Sequence, residues 1–143
     1  NLFAPRHPFR LLVAGTSESG KTSMVVHLLL GSKYSKIYSW MSGEKRGHKM
    51  LKGYENVRFK LIAPEELPNI SSFKRTDRFT VIVFDDLARE PLATQLKIVP
   101  FFRSGRYNEI SSMYIAQCFY KTHPNIRANL KYISLHRGCG TLD

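Results

Sequence analysis

Cysteine is almost missing from this chain: Cys118 and Cys139 are the only 2 in 143 residues. So sparse a pair builds no disulfide framework, and the sequence holds no CxxC or HExxH spacing that would offer a metal site. A reducing intracellular compartment is the setting this implies. No apolar run approaches the roughly 18 residues of a membrane-spanning helix, and no signal-peptide pattern opens the chain. Internal repeats and low-complexity tracts are also lacking. The chain opens at Asn1 rather than Met, as a processed, trimmed or partly observed chain does. Acidic residues are scarce. Against 22 Lys+Arg stand 11 Asp+Glu, a formal net charge of +11. That imbalance favours a polyanionic partner, nucleic acid first, over a basic surface kept for solubility. The 5 histidines, His7, His27, His48, His123 and His136, are scattered and form no ligand cluster.

What the sequence does have is Gly15-Thr16-Ser17-Glu18-Ser19-Gly20-Lys21-Thr22, which fits GxxxxGK[ST] at every specified position. Residues 9–14 read as a strand, and residues 21–30 as a helix closed by Gly31. A strand, a glycine turn and a helix N-terminus aim several backbone N–H groups at one point. With the positive end of the helix dipole they make a phosphate cradle. Lys21 then reaches the β- and γ-phosphates of a nucleoside triphosphate, and the Thr22 hydroxyl ligates Mg²⁺. Met24, Val25, Leu28 and Leu29 make the core-facing stripe of this helix.

A second landmark is Phe79-Thr80-Val81-Ile82-Val83-Phe84-Asp85-Asp86. Its continuous β-branched and aromatic run suits a strand buried on both faces of a parallel sheet. Two carboxylates at the end of such a strand match the Walker B element, with Asp85 holding Mg²⁺ through water and Asp86 activating the attacking water. Capping of the following helix is the structural alternative for this pair.

Elsewhere, residues 36–40 read as a strand, and residues 57–61 as a half-exposed one. Between them residues 41–53 form a glycine-rich basic stretch with Lys45, Arg46, His48, Lys49 and Lys52, either a DNA-contacting loop or a solvated connection. Pro64 to Leu67 suggests a short helix, and residues 69–78 are polar and basic. A helix begins at Pro91 with Leu92, Leu96 and Val99 on its buried face, and Pro100 is expected to kink or restart it. A glycine-containing turn at residues 101–106 carries Arg103 and Arg106. Residues 112–116 read as a strand ending at Gln117, which senses the γ-phosphate or holds the attacking water, or else bonds to neighbouring backbone. A short helix over 125–130 and a strand over 132–135 complete the chain.

In this order the residues resemble the HerA/FtsK superfamily of DNA-pumping ATPases. Phe102-Arg103-Ser104-Gly105-Arg106 leading to Tyr114-Ile115-Ala116-Gln117 looks like the genome-packaging ATPases of large DNA viruses, virophages and Polinton-type elements. The resemblance covers residues 9–137. It implies an α/β P-loop NTPase (RecA-like) three-layer fold, a mainly parallel sheet with helices on both faces, in a single domain over 1–143. It also implies ATP and Mg²⁺ as cofactors, a homo-oligomeric ring, and transport of double-stranded DNA into a capsid with a capsid vertex protein as partner. The location it implies is a viral assembly site in the host cell, with association with the virion. A neighbour's arginine commonly completes such a site; Arg103 is the first choice, then Arg106, with Arg137 a weaker third. Two departures stand out. Asp86 lies where relatives outside the viral branch have Glu, and the chain stops soon after its last strand, which leaves room for a further C-terminal part.

Two other classes compete. A small-molecule or nucleotide kinase also couples a P-loop to arginines, but no lid insertion is visible in the sequence. A GTPase switch needs Gly at Ala88 and a base-reading Asn-Lys-x-Asp, neither of which is present. A non-catalytic DNA-binding module leaves the P-loop, Asp85 and Gln117 unexplained. Non-viral DNA translocases of the same superfamily share all these motifs.

Overall fold

The computed structural model describes residues 5–16, 19–30, 37–43, 57–73 and 79–136. Six strands, β1 (Arg10–Ala14), β2 (Ile37–Gly43), β3 (Val57–Ile62), β4 (Phe79–Asp85), β5 (Ile110–Ala116) and β6 (Tyr132–Leu135), form one sheet in the order β3-β2-β4-β5-β1-β6. Every pairing is parallel. A parallel sheet needs cover on both faces, and the alternation of side chains supplies it. Leu11, Val13, Val81, Val83, Met113 and Ile115 point to one face, where they pack with Val25, Val26 and Leu29 of α1 (Lys21–Leu30). Leu12, Ala14, Ile82, Phe84, Tyr114 and Ala116 point to the other. There they meet Ile98, Val99, Phe101 and Phe102 of α2 (Leu92–Ser104) and Ile126 of α3 (Pro124–Arg127). Burying each such side chain stabilises the fold by roughly 1.5–3 kcal/mol. The three-layer α/β expectation is met.

Several boundaries and faces differ from the sequence reading. β2 continues through Met41, Ser42 and Gly43, the first residues of the basic stretch, whose cations lie outside the described residues. Val26 joins the buried stripe of α1, while Met24 and Leu28 are only half-buried. Short 3-10 turns cover Pro64–Glu66 and Ile70–Ser72; the second, capped by the Asn69 side chain on Ser71 N–H, falls in the tract read only as polar and basic. β5 begins at Ile110, two residues earlier than the apolar pattern indicates, and α3 is shorter than expected.

α2 departs furthest from the expected pattern. It runs unbroken through Pro100 as far as Ser104, so Phe101 to Ser104 are helical and only Gly105 opens a 3-10 turn, Gly105–Asn108. Pro100 is half-buried and lies one turn after exposed Leu96, whose carbonyl loses its intrahelical donor. Leu92 and Leu96 are exposed (63% and 54%), and the buried face is Gln95, Ile98, Val99, Phe101 and Phe102. Two stripes compete on this helix, and the one carrying the phenylalanines removes more apolar area from water.

The lead-in before β1 also packs. His7 stacks on Phe79 with ring centroids 4.4 Å apart, and its Nδ1 lies 2.6 Å from Ser111 Oγ. Burial lowers the His7 pKa, against weaker raising contributions from Glu109.

Candidate phosphate-binding site

The carboxyl ends of the strands bring the sequence motifs together. β1 feeds a loop into α1, and Gly15 N–H donates to the Ala116 carbonyl at 3.1 Å, tying the loop's first residue to the end of β5. Two glycines are needed here for different reasons. Gly20 sits at φ +89°, in the left-handed region that side chains disfavour. At Gly15 an added Cβ would lie 2.6 Å from His136 Cβ and 2.7 Å from Ser19 Oγ, so the close approach itself excludes a side chain. The first turn of α1 contains no acidic residue to offset its positive dipole end. Lys21 Nζ donates to the Gly15 carbonyl, carrying the ammonium back over the loop. Thr22 follows in the same turn, half-buried. Ser17 and Glu18 lie outside the described residues.

Strand order decides what faces this loop. β5 lies between β1 and β4, so Gln117, the first residue past β5, stands between the phosphate loop and the acidic pair. Asp85 aligns with Ile115, which in turn aligns with Val13, placing Asp85 about 10 Å across the sheet from β1 at normal strand spacing. Asp85 is buried (3% exposed) while Asp86 and Gln117 are exposed. Asp86 N–H donates to the Ile115 carbonyl at 2.9 Å and its φ is +56°, a backbone reversal that turns its side chain outward at the sheet edge. A non-glycine residue at positive φ is uncommon, and such conformations concentrate at functional sites.

Arg103 and Arg106 are not brought to this edge. Both are exposed near the start of β5, and its 7 residues place them roughly 20 Å from Gln117. Arg106 donates to Tyr107 Oη at 2.9 Å and lies over that ring at 4.8 Å. Arg137 lies outside the described residues, as do Lys74, Arg75 and Arg78.

Sequence reasoning missed a buried brace behind the acidic pair. Gln95 Nε2 donates to the Leu87 carbonyl, and Tyr114 Oη donates to Gln95 Oε1 at 3.3 Å, fixing the turn after Asp86 to α2 and β5. The signal was the i, i+3, i+4, i+7 set Gln95, Ile98, Val99, Phe102, in which a single amide interrupts an apolar face. Burial pushes the Tyr114 phenol up to about 12, with the Gln95 bond opposing and Asp86 and Glu90 adding to the rise. An unfolded tyrosine ionises near pH 10, so the folded state holds its proton longer. This contribution is complete below pH 10 and is lost as pH climbs from 10 through 12, roughly 2–3 kcal/mol in all. Tyr114→Phe is expected to flatten the fall of the urea midpoint over that window. A slope equal to that of the unaltered protein would show that Tyr114 does not set it.

Among the described residues no cluster of three or more His, Cys, Asp or Glu side chains is poised to hold a metal. No helix there is long and apolar enough to cross a membrane. The donor set at the loop instead suits a hard cation shared with phosphates, since Thr22 offers a hydroxyl and Asp85 a carboxylate.

No protein-family profile and no curated protein matches the sequence. Solved structures do match. The cytoplasmic domain of EssC shares 14% identity at a TM-score of 0.70, over 91% of this chain and 31% of that one. The cytoplasmic domain of the type VII secretion ATPase EccC of Thermomonospora curvata shares 14% at 0.67, over 92% and 20%. The genome packaging NTPase B204 of Sulfolobus turreted icosahedral virus 2, in complex with ATP-gammaS, shares 14% at 0.57, over 90% and 74%. The chain thus spans under a third of the length of the first two. At such identities the likeness is one of fold, and it agrees with the glycine loop and the wholly parallel sheet on the same answer: the chain has the α/β fold of the P-loop NTPases.

Proposed function

We propose that this chain is the ATP-hydrolysing domain of a motor that moves double-stranded DNA, of the type that packages a genome into a capsid. The observation that carries the reading is the meeting of Lys21, Thr22, Asp85, Asp86 and Gln117 along one sheet edge, with β5 set between the loop and the acids. The +11 charge and the fold likeness to a genome packaging NTPase support it. Backbone N–H groups of the loop and the dipole end of α1 bind the phosphates, and Lys21 exchanges the Gly15 carbonyl for the β/γ oxygens. Thr22 and Asp85 would hold Mg²⁺, which supplies charge neutralisation on those oxygens. Asp86 takes the proton of the attacking water and Gln117 orients that water. Arg103, remote from its own loop, serves the site of a neighbouring copy. The outer face of α2 fits such a neighbour, because exposed Leu92 and Leu96 lie in line with Arg103 at helical spacing.

The likeness to a type VII secretion ATPase favours a second reading, movement of a polypeptide. ATP turnover with long duplex DNA or with an unfolded polypeptide decides between them. Stimulation by duplex supports the DNA motor, stimulation by polypeptide alone supports the second reading, and a phosphorylated small product would mark a kinase.

DNA binding is expected to run through phosphates and to ignore sequence, since a packaging motor passes every sequence of its genome. Affinity should fall with salt at a slope of roughly −0.9 per phosphate neutralised. Changing Lys45, Arg46 and Lys49 together to Gln should flatten the slope and weaken two unrelated duplexes alike, with basal hydrolysis kept. Salt-independent binding, or a strong preference for one duplex, would rule out a backbone grip.

A further inference from the structure

We infer that His136 is a positioning residue for the phosphate loop, acting through the Ser19 carbonyl to aim the Gly20 amide into the cradle. Nothing in the motif pattern points to it: His136 follows the last strand, 115 residues after Lys21. Parallel pairing of β6 with β1, Leu135 opposite Ala14, nevertheless delivers it to the loop.

Three contacts hold it there. His136 N–H donates to the Ala14 carbonyl at 2.7 Å, extending the ladder one residue past the strand. Its Nδ1 lies 3.1 Å from the Ser19 carbonyl oxygen, and its Nε2 lies 3.2 Å from Ser134 Oγ. A carbonyl only accepts, so Nδ1 carries a proton. The Ser134 hydroxyl serves Nε2 as donor or acceptor, so the Ser19 bond survives either charge state of the ring. The fit is close, since the space above Gly15 is filled by His136 Cβ.

Peptide planarity turns that bond into a statement about phosphate. In a trans peptide the carbonyl and the following N–H point in opposite directions. The link between β1 and β5 shows this already: the Ala14 carbonyl faces His136 while Gly15 N–H faces Ala116 on the other side. In the same way, a Ser19 carbonyl held outward on His136 sets Gly20 N–H inward. Gly20, at φ +89°, is otherwise the most permissive residue of the loop. A fixed donor costs less ordering when the anion binds.

This inference rests on the nucleotide-binding reading, and calorimetric titration with Mg·ATP separates the two. Wild type that binds no ATP overturns the reading and the inference together. If wild type binds, His136→Ala is expected to weaken ATP about tenfold, raising KM while kcat at saturation stays within about twofold, the pattern of lost uniform binding. His136→Asn keeps an amide donor near the Nδ1 position and is expected to recover most of the affinity. His136→Gln sets its amide one bond further out and is expected to stay close to Ala. Equal affinity in wild type and Ala, or in Asn and Gln, overturns the role of His136. Should His136→Ala fail to fold, the Asn and Gln pair still decides.

Discussion

Asp86→Asn is expected to bind ATP and Mg²⁺ as the unaltered protein does and to lose turnover by roughly 100- to 10,000-fold, the usual worth of a positioned general base. The substitution is well matched to the site. Asn tolerates positive φ about as well as Asp does, so the reversal at +56° and the Asp86 N–H bond to Ile115 survive. Only the charge changes. Asp86→Gly separates stability from chemistry more sharply. Gly relieves the left-handed backbone, so the unfolding free energy is expected to hold or to rise by about 0.5–1 kcal/mol while turnover is lost. Such a protein would show that the strained backbone is kept for the position of the carboxylate. Wild-type turnover in Asp86→Asn would remove Asp86 from the mechanism. Asp85 is a different case: it is buried at the strand end, so its replacement is expected to disturb Mg²⁺ dependence and packing together.

The contrast between these two acids shows what was legible in the sequence. The run from Phe79 to Phe84 suited a doubly buried strand, as it is from Thr80 on, and the GxxxxGK[ST] match fixed the loop, so β1, α1 and β4 came within a residue of their observed bounds. Parallel order was harder. Nothing local in residues 110–116 says that β5 inserts between β1 and β4, yet that insertion sets Gln117 beside both motifs. α2 was misread because two apolar stripes overlap on it and periodicity does not weigh phenylalanine against leucine. Gln95 left one trace, an amide in an apolar face, but neither its role nor that of His136 could be read, for a related reason. Each acts on a backbone carbonyl outside its own element, Leu87 for Gln95 and the far-removed Ser19 for His136, and backbone partners leave no trace in side-chain patterns.

Arg103 lies far from the phosphate loop of its own chain. It closes α2 at the end of the sheet away from Lys21, exposed, so within one chain it has no route to the phosphates. An arginine supplied by a neighbour is worth roughly 1,000-fold or more in turnover, and Arg103→Ala is expected to lose about that much while still binding ATP. Lys21→Ala fails for the opposite reason, having an intact arginine but no lysine for the β- and γ-phosphates. The two defects lie on opposite faces of a head-to-tail contact. An equal mixture of the two proteins therefore creates interfaces in which an intact Lys21 meets an intact Arg103, roughly one in four if subunits mix at random. Turnover is expected to reappear on mixing, to rise with total protein concentration, and to exceed either variant alone by far. Arg106→Ala serves as the comparison, because Arg106 is engaged with Tyr107 in its own chain. Loss in Arg103→Ala alone and recovery on mixing, with turnover kept in Arg106→Ala, assigns the trans contact to Arg103, and the reverse pattern assigns it to Arg106. If neither mixture recovers although sedimentation shows mixed assemblies, the arginine at this edge takes no part in hydrolysis.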